Sequence, residues 1–357
     1  MKNLKKPTQN LLLTIAIILV VYIVISIMQA TGNLSSLISG LLVPVCAYSL
    51  VAIGLNLCVG YLGELSLGHA GFMCIGAFTS AFFSKAYADV IPDVPRFILT
   101  LIIGTLVSAI FGFLIAIPVL RLNGDYLAIV TLAFGEIIKN VLNVLYVGMD
   151  SNGFHASLKD QMSLGMEADG KMLINGAQGI TGTPRQATFT IGVILVILAL
   201  IVTSNFVDSR TGRAVKAIST NAIAAETVGL PIIEYKLRAF TLSAAIAGVG
   251  GVLYAHNINS LMATTNSFGY NMSIMILVYV VLGGLGNFSG GILATAILVM
   301  LPELLRGFAD MRMLIYSIVL IALMLFNWAP AILQWREAHG LTTSAIRRKL
   351  HKNKEVQ

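Results

Sequence analysis

Apolar runs separated by short polar gaps occupy most of the chain from Leu11 onward. The first, Leu11 to Ala30 (LLLTIAIILVVYIVISIMQA), carries no charge over 20 residues, about the length a helix needs to cross a hydrocarbon core ~30 Å thick. Windows of this kind predict ten spanning helices, roughly at 11–30, 41–59, 68–87, 97–120, 126–147, 187–206, 237–258, 270–285, 288–305 and 313–333. Glycine clusters at 60–71 and within 270–305 allow the chain to cross, re-enter or bend, so counts from eight to ten fit. The expected fold is an all-α, polytopic membrane protein. The whole chain, 1–357, reads as one transmembrane domain, embedded over about 11–333.

Composition agrees with this pattern. Of 357 residues, 57% are hydrophobic and only 11% charged, roughly half the charged share of an ordinary soluble domain. Lys2, Lys5 and Lys6 ahead of an apolar run also resemble a secretory signal. That run exceeds the ~7–15 residues of a signal core, and further spans follow it, so it reads as the first spanning helix. The net charge of +7 raises the question of nucleic acid, but the basic residues track topology instead. With the N-terminus inside, 15 of the 23 Lys and Arg fall in inner loops and 7 in outer ones, with Lys139 inside a span. Cytoplasmic loops collect positive charge. Both termini, the loop 207–236 and the basic tail 334–357 are therefore expected inside, and the polar excursion Gly148 to Gln186 outside. No nucleic-acid partner is expected.

Candidate chemistry is sparse. Cys46, Cys58 and Cys74 lie in apolar surroundings without C-x-x-C spacing, and the five histidines form no H-x-x-x-H pair, so no metal site is proposed. The stretches AGVGGVL and LGGLGNFSGG satisfy neither G-x-G-x-x-G nor the phosphate-loop pattern. Close helix packing by small residues is the better reading.

Three places stand out. In VGYLGELSLGHAGF, glycines 60, 63, 68 and 71 surround Glu64, Ser66 and His69. Gly63 and its neighbours form either a tight interfacial turn or an unwound segment whose backbone N–H groups meet a carboxylate, as transporter half-helices do. In the fifth span, Glu136 and Lys139 share one helical face. They are either an ion pair that stabilises packing or part of a path or subunit contact, because both are costly against lipid. Between the sixth and seventh spans lies NAIAAETVGLPIIEYKLRAF. Here Asn221 can cap a helix, Gly229 can end it in the left-handed region and Pro231 prevents continuation. The helix enclosed is about two turns, roughly 10–12 Å. Ile223, Ala224 and Val228 can form its apolar patch, with Glu226 nearby. Docking in another protein's groove and packing on the chain's own inner ends both fit.

Four stretches in order, GLNLCVGYLGELSLGHAGFMCIGAF, LRLNGDYLAIVTLAFGEIIKNV, GRAVKAISTNAIAAETVGLPIIEYKLRAF and LGGLGNFSGGILATAIL, resemble the M-type permease subunits of branched-chain amino acid ABC importers. The resemblance covers about 40–305. It implies a bacterial cytoplasmic membrane location, a second related permease, two ATPase subunits that bind the ATP, and a solute-binding protein outside. No cofactor is implied on this chain. It also implies that NAIAAETVGLP contacts an ATPase, with Asn221, Ala225, Glu226, Gly229 and Pro231 as the coupling residues. The order of glutamate and alanines departs from the general importer loop, E-A-A followed by glycine. Gly63, Glu64, Ser66, His69 and Glu136 are the candidates for the translocation path.

Two other classes compete with a transport subunit. A membrane enzyme would have to use Glu64, Ser66 and His69, yet no G-x-S-x-G motif or metal pair accompanies them. A secondary transporter would show inverted repeats and several intramembrane carboxylates, whereas Glu136 and Glu303 are the only good candidates. Relatives of the family also import urea or short amides, so the resemblance fixes machinery better than cargo.

Overall fold

The computed structural model describes residues 6–328 except 34, 89, 123, 151–152 and 166–169. Glu167, Asp169, Ser344 and the basic tail 334–357 lie outside the described residues. The chain divides into two compact units, Met1–Val299 and Met300–Gln357.

The first unit begins with α1 (Lys6–Ala30), α2 (Ser36–Asn56), a π-helical turn (Leu57–Leu62), α3 (His69–Ala86), α4 (Asp93–Val119) and α5 (Asp125–Val144). A polar excursion follows with β1 (Tyr146–Asp150), β2 (Gly153–Ser157), β3 (Lys171–Asn175) and β4 (Ile180–Thr181). Next come α6 (Phe189–Asp208), α7 (Arg210–Thr220), α8 (Ala222–Thr227), α9 (Ile232–Ala255), β5 (Ser260–Leu261), α10 (Thr265–Phe268), α11 (Tyr270–Gly283) and α12 (Phe288–Leu304). The second unit holds the end of α12, a 3-10 stretch (Leu305–Met311) and α13 (Arg312–Trp328), with Arg306 donating to Glu303 at 2.9 Å.

Eight helical segments among the described residues are long and apolar enough to cross a membrane, from Leu11–Ala30 to Phe288–Gly307. The chain is a polytopic, mostly helical membrane protein. The predicted spans at 68–87 and 313–333 are not among the eight. The described part of α13 is only 17 residues. α3 has a different reason: 14 of its 18 residues are buried, including Ser80, Ser84 and His69. A helix enclosed by other helices touches no lipid, so its outward face need not be apolar.

The centre of the bundle is α9, which packs on α2, α3 and α4. Small residues allow that approach: a Cβ on Gly250 would lie 2.7 Å from the Ala47 carbonyl, and one on Gly251 only 2.9 Å from the Ala77 nitrogen. Beside this seam, Val43, Leu50 and Ile53 of α2, Val196 and Leu200 of α6, and Leu253 of α9 form an aliphatic core. Lipid-length helices gain little from hydrophobic burial against one another, so close packing of this kind carries their association.

The polar excursion is more ordered than its composition indicates. β1 pairs antiparallel with β2 and β3, and β4 pairs with β5 across the chain, Ile180 opposite Leu261. Backbone bonds from Gln186 and Ala187 to the His256 carbonyl, both 3.2 Å, hold the excursion to the end of α9. The first unit thus has a sheet-bearing end, and an opposite end formed by the π-helical turn, α7, α8 and the α11–α12 turn.

Candidate functional site

α8 is built as its sequence indicates, though shorter than two full turns. Its six residues rise about 9 Å. Asn221 adopts an extended backbone and its side-chain oxygen accepts from the Ala224 nitrogen at 3.0 Å. At the other end Gly229 has φ 82°, its N–H donates to the Glu226 carbonyl at 2.9 Å, and the Leu230 N–H donates to the Ala225 carbonyl at 3.1 Å. This pair of bonds is the Schellman stop, which requires a left-handed residue after the last turn. Pro231 then caps α9, where a missing N–H costs nothing.

The five candidate coupling residues do not share one role. Ala225 is 4% exposed and faces inward, where α8 packs on α7 and α9. Ile223 and Val228 are 78% and 76% exposed, and Ala224 and Glu226 are exposed with them. Asn221, Gly229 and Pro231 fix the ends. A short helix with large aliphatic side chains turned outward is the geometry of a docking element.

Beside α8 the glycine cluster does unwind the chain. α2 passes into the π-helical turn Leu57–Leu62, Gly63 sits at φ 77° and 63–68 is coil before α3 begins. The freed N–H groups are met from within the chain: Leu67 donates to Thr131 Oγ1 at 3.0 Å, Gly68 to Ser66 Oγ at 3.5 Å and Ala70 to Ser273 Oγ at 3.3 Å. Glu64 is ion-paired with Lys236 of α9, both side chains being mostly buried.

Ser66 and His69 are fully buried. Ser243 Oγ donates to the Gly54 carbonyl at 2.6 Å, so its oxygen must accept from His69 Nε2, 2.7 Å away. That leaves His69 Nδ1 as the acceptor for the Ser66 hydroxyl at 3.1 Å. The chain of bonds ties the break to α2, α3 and α9. Glu64 takes no part in it, so the three residues form no cluster.

In α5, Lys139 donates to Glu136 at 2.5 Å and to Thr265 Oγ1 at 3.2 Å, while the Tyr270 N–H donates to Glu136 Oε1 at 2.7 Å. The pair therefore also fixes the start of α11. An ion pair whose members each make a further hydrogen bond is the arrangement that helps offset the cost of burying charge.

Sequence reasoning passed over Asn56, Tyr61 and Lys236. A cleft of about 240 Å³ lies at this end, lined by Tyr61, Lys216, Asp208, Gly286, Asn287 and Phe288 among others. The signals were modest: Asn56 is a lone amide in an apolar run, Tyr61 is an aromatic between glycines, and Lys236 looked like one more loop cation.

Residues 37–327 match the family described as the permease component of the branched-chain amino acid transport system. The chain belongs to that family. The high-affinity branched-chain amino acid transport system permease protein LivM of Salmonella typhimurium (strain LT2) is 36% identical over 292 residues, 79% of this chain and 66% of the relative. LivM of Escherichia coli (strain K12) is likewise 36% identical, over 293 residues with the same shares. The nucleoside ABC transporter permease protein NupB of Lactococcus lactis is 27% identical over 251 residues, 66% of this chain and 63% of the relative. The chain thus spans just under two thirds of the length of each of these three relatives. No solved structure matches it significantly. The family match runs from within α2 into α13 and so includes α8, the break and the Glu136–Lys139 pair; α1 lies outside it.

Proposed function

We propose that this chain is a permease subunit of an ATP-driven importer for branched-chain amino acids, and that it has no enzymatic activity of its own. The observation carrying this reading is the 36% identity to two LivM permeases over 79% of the chain. The solvent-facing α8, with Ile223 and Val228 outward, supports it. ATP hydrolysis is assigned to two partner ATPases, and a second related permease and an extracytoplasmic binding protein complete the assembly. The inner membrane is the proposed location, with both termini and 207–236 cytoplasmic.

In this reading Ile223, Ala224, Glu226 and Val228 contact the ATPase, while Asn221, Ala225, Gly229 and Pro231 hold α8 in place. Gly63, Glu64 and Glu136 are the proposed path elements, and Ser66 and His69 act by fixing α3. The 27% identity to NupB makes nucleosides the second reading of the cargo, with less support than the 36% identity to LivM gives branched-chain amino acids.

Reconstitution with co-expressed ATPases, partner permease and binding protein tests the proposal. ATP-dependent leucine uptake that excess uridine leaves unchanged is expected. Uptake of uridine but not leucine would replace the cargo, and gradient-driven uptake by this chain alone would overturn the importer reading.

A further inference from the structure

We infer that Tyr61, in the π-helical turn after α2, is the positioning residue of a joint through which the α7–α8 hairpin sets the position of the α11–α12 turn. The inference rests on the importer reading, since it supposes that α8 is moved by an ATPase.

The contacts converge on one side chain. Tyr61 donates its hydroxyl to the Gly286 carbonyl at 2.6 Å, and Asn56 Oδ1, one helical turn earlier, accepts from the Gly286 N–H at 2.8 Å. Both backbone groups of Gly286 are thereby held by the end of α2. The Tyr61 ring stacks on Phe288, the first residue of α12, with centroids 5.1 Å apart. Lys216 of α7 stands over the same ring, its Nζ 5.2 Å from the centroid. A single aromatic therefore touches both α7 and the entry to α12. Two glycines permit this closeness: a Cβ on Gly60 would lie 2.9 Å from Gly286 Cα, and one on Gly63 would lie 3.2 Å from Ser219 Cβ of α7. Glu64, paired with Lys236, binds the same segment to the first turns of α9.

The element under Tyr61 is one with two discrete arrangements. A π-helical turn closes its hydrogen bonds over one residue more than an α-helix and is the less stable form, found mostly as single turns at functional sites. Relaxing Leu57–Leu62 to α-helix would rotate Tyr61 by roughly 100° about the α2 axis, the angle of one residue. That rotation breaks the bond to Gly286 and removes the ring from under Lys216 together. Coupling through such a network requires a bistable element that both sites bias, and the π-helical turn supplies it.

The test uses the assembled transporter with a reporter cysteine at Leu285→Cys in the exposed α11–α12 turn; the native Cys46, Cys58 and Cys74 are buried. The readouts are the labelling rate at that position with and without a non-hydrolysable ATP analogue, and the leucine carried per ATP hydrolysed. The expected wild-type result is a labelling rate that changes with nucleotide. Tyr61→Phe keeps the ring and its stacking but removes the hydroxyl. It should assemble normally, label independently of nucleotide, and lower leucine per ATP by about fivefold, the scale of one lost hydrogen bond. Lys216→Gln should do the same, and the double variant should add little, because both act through one ring. Additive effects, or nucleotide-dependent labelling and coupling within about twofold of wild type in Tyr61→Phe, would overturn the joint, as would wild-type labelling that ignores nucleotide. Should Tyr61→Phe fail to assemble, Lys216→Gln on half-buried α7 decides the question alone. A wild-type complex that responds to nucleotide but carries no leucine removes the cargo and leaves the joint standing.

Discussion

Ala247–Leu253 (AGVGGVL) and Leu282–Gly291 (LGGLGNFSGG) are alike in composition and opposite in structure. In α9 the glycines remain helical, and what excludes a side chain is space: Gly250 and Gly251 press on backbone atoms of α2 and α3. Between α11 and α12 space is not the limit at Gly284, where an added Cβ would find only Asn287 Cβ at 3.8 Å. Torsion is, because Gly284 and Gly286 have φ 93° and 75°. The first stretch uses glycine to bring helices together; the second uses Gly284 and Gly286 to end a helix and begin the next, while Gly283 and Gly290 at its flanks meet backbone to backbone as the seam glycines do. The difference lies in what surrounds each segment, not in its own letters.

The largest effect should follow from filling the seam. Gly251→Val would drive a branched side chain into backbone atoms of α3 that cannot rotate aside, and overpacking of this sort costs about 3 kcal/mol. Thermal unfolding in detergent should show a large drop, with little folded protein recovered; an unchanged midpoint would show that α9 and α3 are not in close contact. Gly284→Ala has room and pays only for the torsion, roughly 1–2 kcal/mol. Its unfolding midpoint should fall less than that of the seam variant, and a reversed order would break the distinction between space and torsion. Gly229→Val is the smallest in global terms, since nothing lies within 4 Å of an added Cβ and only φ 82° resists it. The expected torsional cost is about 1–2 kcal/mol or more, but it falls on α8 and not on the bundle. Detergent stability should be near wild type while the co-purifying ATPase falls, with Glu226→Lys lowering it without touching the turn. Full ATPase recovery in both variants would reduce α8 to local packing.

These differences mark what the sequence could disclose. Spans that face lipid were legible because every outward residue must be apolar, as in α1. α3 falls below the apolar spans in composition because a helix wrapped in protein keeps serines and a histidine. The ends of α8 were legible residue by residue, since a cap acts within a few positions. The sheet in the polar excursion was not, because five-residue strands interrupted by glycines leave a faint alternation. Nor were the contacts that organise the break: Glu64 meets Lys236 from 172 residues away, and Asn56 meets Gly286 from 230. Such pairs have no period. Glu136 and Lys139 were found together because three positions on one helix are neighbours in any fold, whereas their bonds to Thr265 and Tyr270 belong to the tertiary structure alone.

That pair has a consequence in the currency of membrane voltage. Moving one elementary charge across the membrane field costs about 2.3 kcal/mol per 100 mV. With Glu136 and Lys139 locked together on one face of α5, any excursion of that helix carries their charges as a neutral couple. The field then does almost no work on them, and a membrane potential that rises or collapses would leave this part of the bundle where it stands.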